Sequence, residues 1–182
     1  MTLLEMLVVT ALAGVLMTVA GYLTVFSARS LQSLGNYSDL DMQSRVALDL
    51  VSREFRQGTA LVAFQTNAPD KSLTLTNANL GKAINLSWNS SARSLVLTLG
   101  TEVPRVLLTE CDRWDFTLYS RAPNVTPTNI MFYLSTNGAG VLDPAQCKLI
   151  DMSWKCSRQI LGAKINTESV QTAQIVLRNK VR

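Results

Sequence analysis

The sequence predicts an α+β protein, a long N-terminal α-helix packed on an antiparallel β-sheet domain, and three observations carry that expectation. Residues 6–26 contain no charged side chain, a run long enough to cross a bilayer as a helix, which takes about 20 apolar residues. Residues 27–57 then keep apolar side chains at helical spacing. From Gly58 onward the apolar spacing drops to two. The chain accordingly divides into residues 1–26, a transmembrane helix; residues 27–58, its amphipathic continuation; and residues 59–182, a β-rich globular domain.

Within residues 1–26, Glu5 is the one charged side chain. Burying a charge in an apolar span costs about 2.5–3.5 kcal/mol even on lenient insertion scales, so Glu5 is a functional candidate. Thr10, Gly14, Thr18 and Gly21 recur on one face of the same helix. Such a face lets helix backbones approach closely in an apolar medium, although membrane helices also tolerate Gly and Thr without any such contact. A secretory signal would have a basic start and a shorter apolar run. An ordinary anchor would be flanked by Lys or Arg on its inner side. Neither feature stands before residue 6, and the simplest expectation is that a short basic leader has been removed.

In the continuation, Leu31, Leu34, Ala47, Leu50, Val51 and Phe55 form the expected apolar stripe, with Arg45, Asp49, Ser52, Arg53 and Arg56 on the other sides. Gly35-Asn36 is expected to bend or interrupt the helix, and Gly58 to stop it. A continuous helix to Gln57 would be about 85 Å long. Beyond it, Leu73/Leu75, Ile84/Leu86/Trp88 and Leu95/Leu97/Leu99 alternate with polar residues as half-buried strands do. Residues 89–93 read as a hairpin loop between the last two. Further strands are expected at 106–108, at Trp114/Phe116/Leu118, at 131–134 and at 173–177. Residues 124–129, with Pro127, read as a loop, and Asn137-Gly138 as a turn.

Composition restricts the chemistry. There is no histidine, which removes the commonest general base and metal ligand. There is no Gly-rich phosphate loop and no Cys-x-x-Cys pair, so no catalytic set, cofactor or metal site is expected. Asp39 and Asp41 read as a solvated helix face, Asp112 and Asp115 as strand acids beside Trp114, and Trp88, Trp114 and Trp154 as packing residues. The 17 Lys and Arg all follow residue 28, and only Arg178, Lys180 and Arg182 cluster. This is a solvated surface more than a nucleic-acid footprint. The three cysteines are Cys111, Cys147 and Cys156. Outside the cytoplasm, one disulfide and one leftover thiol is the natural arithmetic. Connectivity is not readable from sequence; Cys147 and Cys156, flanking an expected hairpin that includes residues 152–155, are the preferred pair.

The first nine residues, Met-Thr-Leu-Leu-Glu-Met-Leu-Val-Val, resemble the mature N-terminus of type IV pilins and type II secretion pseudopilins. That pattern is an apolar first residue, Thr2, Leu3, an aliphatic residue, Glu5 and a long apolar helix. More weakly, residues 42–182 resemble J-type pseudopilins and W-type minor pilins. The likeness lies in the helix segment Ser-Arg-Val-Ala-Leu-Asp-Leu-Val-Ser-Arg-Glu-Phe-Arg-Gln (44–57), in Leu107-Leu108 followed by Trp114-x-Phe116-x-Leu118, and in the terminal Ile-Val-Leu-Arg-Asn (175–179).

The resemblance implies a pilin-like fold and a precursor that a prepilin peptidase cleaves after glycine, methylating the amine of Met1. It implies a single inner-membrane pass with a periplasmic C-terminal domain, then extraction by an inner-membrane assembly platform into a pilus or pseudopilus. Partners would be other pilins or pseudopilins through their N-terminal helices, and membrane lipid before assembly. Glu5 would meet a neighbouring subunit's N-terminal ammonium in the low-dielectric filament core. J-type and W-type subunits are expected near the tip, where they help initiate assembly. The chain departs from the family in having Met1 where phenylalanine is usual, and it lacks the mid-helix proline frequent in major pilins. It also lacks the acid-rich loop with which some pseudopilins bind calcium. A major pilin, an adhesion or DNA-uptake subunit, and a signal-anchored periplasmic enzyme are the alternatives.

Overall fold

The computed structural model describes residues 2–66, 69–77, 81–121, 131–136, 143–160 and 166–177. A single helix, α1 (Leu3–Gln57), runs for 55 residues, about 82 Å at the standard rise. Gly35-Asn36 does not interrupt it. The pair instead marks where the helix meets the domain: Asn36 is buried, and its Nδ2 donates to the Gln159 carbonyl at 3.4 Å. From there the buried residues are Asn36, Leu40, Ser44, Ala47, Val51 and Phe55, successive steps of four or three that make one narrow stripe. Leu31 and Leu34, expected in that stripe, are 70% and 65% exposed, because they precede the point of docking.

Two antiparallel sheets receive the helix. The first is a meander of β1 (Ala60–Gln65), β2 (Lys71–Asn77), β3 (Lys82–Asn89), β4 (Ser94–Leu99) and β5 (Arg105–Leu108), in that spatial order. Period-two patterning builds its core face, since register places Leu73 opposite Leu86 and Leu86 opposite Leu97, with Leu75 beside Ile84 and Trp88 beside Leu95. All of these side chains are buried. The second sheet has the order β7-β6-β8-β9, from β6 (Cys111–Arg121), β7 (Phe132–Leu134), β8 (Cys147–Gln159) and β9 (Asn166–Val176). A short helical turn at Pro144–Gln146 leads into β8. α1 lies against β5, β8 and β9, so it closes over edge strands of both sheets.

The hairpin loop at residues 89–93 is present, and Arg93 takes a left-handed conformation there with φ 49°. β8 corrects the cysteine assignment. No hairpin separates Cys147 from Cys156; they are the first and tenth residues of one strand of 13 residues. At about 3.3 Å per residue their Cα atoms stand about 30 Å apart, whereas a disulfide requires about 4.4–6.8 Å. A Cys147–Cys156 bridge is therefore excluded by geometry. Met1, the 124–129 loop, the Asn137-Gly138 turn and the basic residues 178, 180 and 182 lie outside the described residues.

Gly58 ends α1 for a reason of space. A Cβ there would lie 2.9 Å from Leu75 Cδ2 and 3.0 Å from the Phe55 carbonyl, and that carbonyl already accepts the Gly58 N–H. Gly58→Ala must push the helix end off β2, and the expected loss is about 1–3 kcal/mol of unfolding free energy, the range for overpacking a filled core. Urea denaturation of the full-length chain in detergent checks this, an unchanged midpoint being the contrary result.

Candidate functional site

The N-terminal half of α1 is apolar on every side from residue 6 to residue 26 and stands clear of the other described residues: no residue from Thr2 to Leu31 is buried, and Leu3, Leu4, Leu16, Met17 and Tyr22 are among the most exposed large side chains. A helix hydrophobic all round belongs in a membrane or among other helices. Among the described residues it is the one helix long and apolar enough to cross a membrane.

At its start, Thr2 and Glu5 form a reciprocal capping box. The Thr2 N–H donates to Glu5 Oε2 at 2.8 Å, and the Glu5 N–H donates to Thr2 Oγ1 at 3.4 Å. Two backbone donors that a helix start leaves open are thereby satisfied. The signal for it in the sequence is Thr-x-x-Glu ahead of an apolar run. Glu5 thus has a local partner within its own chain and remains exposed.

The small-residue face is present as spaced. Thr10, Gly14, Thr18 and Gly21 fall within about 80° of one another at the helical turn angle. The Thr10 hydroxyl donates to the Met6 and Leu7 carbonyls, both at 3.0 Å, and the Thr18 hydroxyl to the Val15 carbonyl at 2.7 Å. The hydroxyls are satisfied inside the helix, so the face offers a shallow apolar groove. Nothing lies within 4 Å of a Cβ added at Gly14 or Gly21.

Where the helix reaches the domain, acids that looked solvated prove to be ties. Arg158 of β8 donates to Asp39 Oδ2 at 2.7 Å and to Glu110 Oε2 at 2.7 Å, which joins α1 to β8 and to the turn residue just before β6. Asp41 accepts from Arg45 on its own helix at 2.8 Å and from Gln171 of β9 at 3.0 Å. The two carboxylates hold Arg158 more firmly protonated than a free arginine, the Glu110 hydrogen bond contributing most.

Asp112 and Asp115 are likewise engaged by cations. Arg93 Nε donates to Asp112 at 2.7 Å, and its Nη2 to the Ser157 carbonyl at 2.7 Å, so the strained turn residue pins the first sheet to the second. Lys71 donates to Asp115 at 2.6 Å and to the Trp114 carbonyl at 2.9 Å, and Arg113 also pairs with Asp115. Partial burial pushes the Asp115 carboxyl up, but Lys71 and Arg113 together bring it below its ordinary value. Trp88, Trp114 and Trp154 are all buried, and Trp114 faces Trp154 across β6 and β8.

Comparison with known protein families, with curated proteins and with solved structures finds no match to this chain. Its functional reading therefore rests on the chain's own residues.

Proposed function

We propose that this chain is a minor pilin or pseudopilin, a structural subunit of a type IV pilus or type II secretion pseudopilus that acts near the filament tip. The observation that carries the reading is one continuous helix with two different halves. From Asn36 onward it is packed into a folded domain, while its first half is apolar all round from residue 6 to residue 26, bears a single carboxylate at Glu5 and is exposed along its length among the described residues. A plain anchor needs the length and would use the acid only as a helix cap, and a core helix would be covered. A helix that first waits in a bilayer and then joins like helices uses both features.

In this reading the domain sits in the periplasm and residues 3–26 cross the inner membrane. A prepilin peptidase frees and methylates the amine of Met1, and the assembly platform lifts the helix into the filament. There the Thr10–Gly14–Thr18–Gly21 face allows close helix approach, and Glu5 receives a neighbour's N-terminal ammonium. The part played by the domain is structural, with the ties at Arg158, Asp39 and Glu110 keeping helix and sheets at a fixed angle. The resemblance of residues 42–182 to J-type and W-type subunits supports the tip position.

Intact-mass analysis of protein purified from its native membrane tests the proposal. The expected species begins at Met1 and carries one methyl group on its amine. A chain that retains a longer N-terminal leader, or an unmodified amine, counts against prepilin processing and with it the filament role.

A further inference from the structure

We infer that Cys111 and Cys156 form a cross-strand disulfide that staples β6 to β8 beneath α1. The two are direct Cα partners in the β6–β8 ladder. Ladder hydrogen bonds show which kind of pair they are. The Ser157 N–H donates to the Glu110 carbonyl at 3.1 Å, one residue outside the pair on each strand, while the Cys111 N–H turns away to the Arg93 carbonyl at 2.8 Å. Cys111 and Cys156 therefore occupy a non-hydrogen-bonded position, where opposing Cα atoms stand about 4.5 Å apart and side chains are closest. That spacing lies within the range a disulfide spans, about 4.4–6.8 Å. Both thiols are buried, at 0% and 2% exposure. Cys147, by contrast, faces Ser120 across the same ladder.

The surroundings place both thiols in the same buried environment. Each thiol is affected first by the other: Cys156, together with burial, pushes Cys111 up, and Cys111 lowers Cys156. Ser44 of α1, itself buried, is among the groups that lower Cys156, and Trp88 Nε1 of the first sheet donates to the Cys111 carbonyl at 2.9 Å. The pair thus lies where helix and both sheets converge, and it closes the loop that contains β6, β7 and β8.

Because α1 covers the pair, oxidation precedes helix docking. The oxidant is a disulfide-bearing small molecule or oxidoreductase. The Cys156 thiolate attacks one of its sulfurs, releasing a thiolate and forming a mixed disulfide. The Cys111 thiolate then attacks Cys156 Sγ and expels the second oxidant thiolate. One S–S bond forms in the protein and one breaks in the oxidant, which gains two electrons, while the two thiol protons pass to solvent or to the released thiolates. The pairing stands on strand register and is independent of the filament proposal; only the presence of the oxidant in vivo follows from a periplasmic location.

Trypsin separates the three cysteines, into peptides 106–113, 122–148 and 156–158. Full-length protein is trapped with N-ethylmaleimide during extraction into detergent, digested without reductant and mapped. The expected result is peptide 106–113 joined to 156–158, with Cys147 alkylated. A second sample is partly denatured with oxidised glutathione before mapping. Protein that is fully alkylated when trapped, yet gains this same link from glutathione, upholds the pair and counts against an oxidising compartment. A link to peptide 122–148, or three alkylated cysteines after glutathione, overturns the inference. Cys147→Ser should leave the link intact, and Cys156→Ala should remove it without creating another.

Discussion

Glu5→Gln is expected to leave the protein in the membrane at its normal level while cutting its recovery in filaments at least about tenfold. Glutamine is an accepted residue at the third position of a capping box, so this variant keeps the bond to the Thr2 N–H and removes only the charge. In an assembled filament the neighbour's ammonium would then face a neutral amide in an apolar core. Breaking a buried ion pair by removing one partner costs about 3–5 kcal/mol. About 1.4 kcal/mol of that, surviving relaxation and residual hydration, already gives the tenfold loss. Glu5→Leu removes the cap as well and should do at least as much damage. Sheared or purified filaments and the membrane fraction, each quantified by immunoblot, check this. The informative comparison is between the two variants. If the glutamine protein assembles normally and the leucine protein does not, Glu5 is a helix cap, and the intermolecular pairing is wrong.

The capping box shows why legibility differs between local and distant interactions. Thr2 and Glu5 are three residues apart, and their bond could be read from a known spacing. The period-two leucines of β2, β3 and β4 were legible for the same reason: alternation survives wherever one face of a sheet is buried. β1 was not anticipated, because a bulge between Leu61 and Ala63 breaks its alternation, and among its residues only Leu61 is buried. β8 is legible as one strand: Ile150, Met152 and Trp154 alternate with Asp151, Ser153 and Lys155 straight through the segment, and two cysteines close in sequence are no signal of a hairpin between them. Asp39 and Asp41 were beyond reach altogether. Their partners Arg158 and Gln171 come from β8 and β9, and nothing in a helical segment distinguishes an acid facing solvent from one facing an arginine more than a hundred residues away.

Phe55→Ala is expected to cost about 3–5 kcal/mol of unfolding free energy, the range for truncating a buried phenylalanine. The ring is fully buried, at 0% exposure, in the last turn of α1 and belongs to the core shared with the first sheet's leucines. Gly58 follows directly, its backbone held so close to Leu75 that a Cβ would clash. The helix end is thus pinned by its own chain and has little freedom to collapse into the space left behind, which places the cost toward the upper part of that range. Urea denaturation of the full-length protein in detergent gives the value, and a loss below about 1 kcal/mol would contradict the packing described. Leu31→Ala, in the same helix, should leave the domain's unfolding free energy within about 0.5 kcal/mol of the parent, as exposed positions usually do. Leu31 is 70% exposed and precedes Asn36, where the helix first becomes buried. One helix therefore carries two energetic regimes divided near Asn36. Beyond it, a lost methylene weakens the domain; before it, the same loss falls on an exposed surface and leaves the domain's stability unchanged.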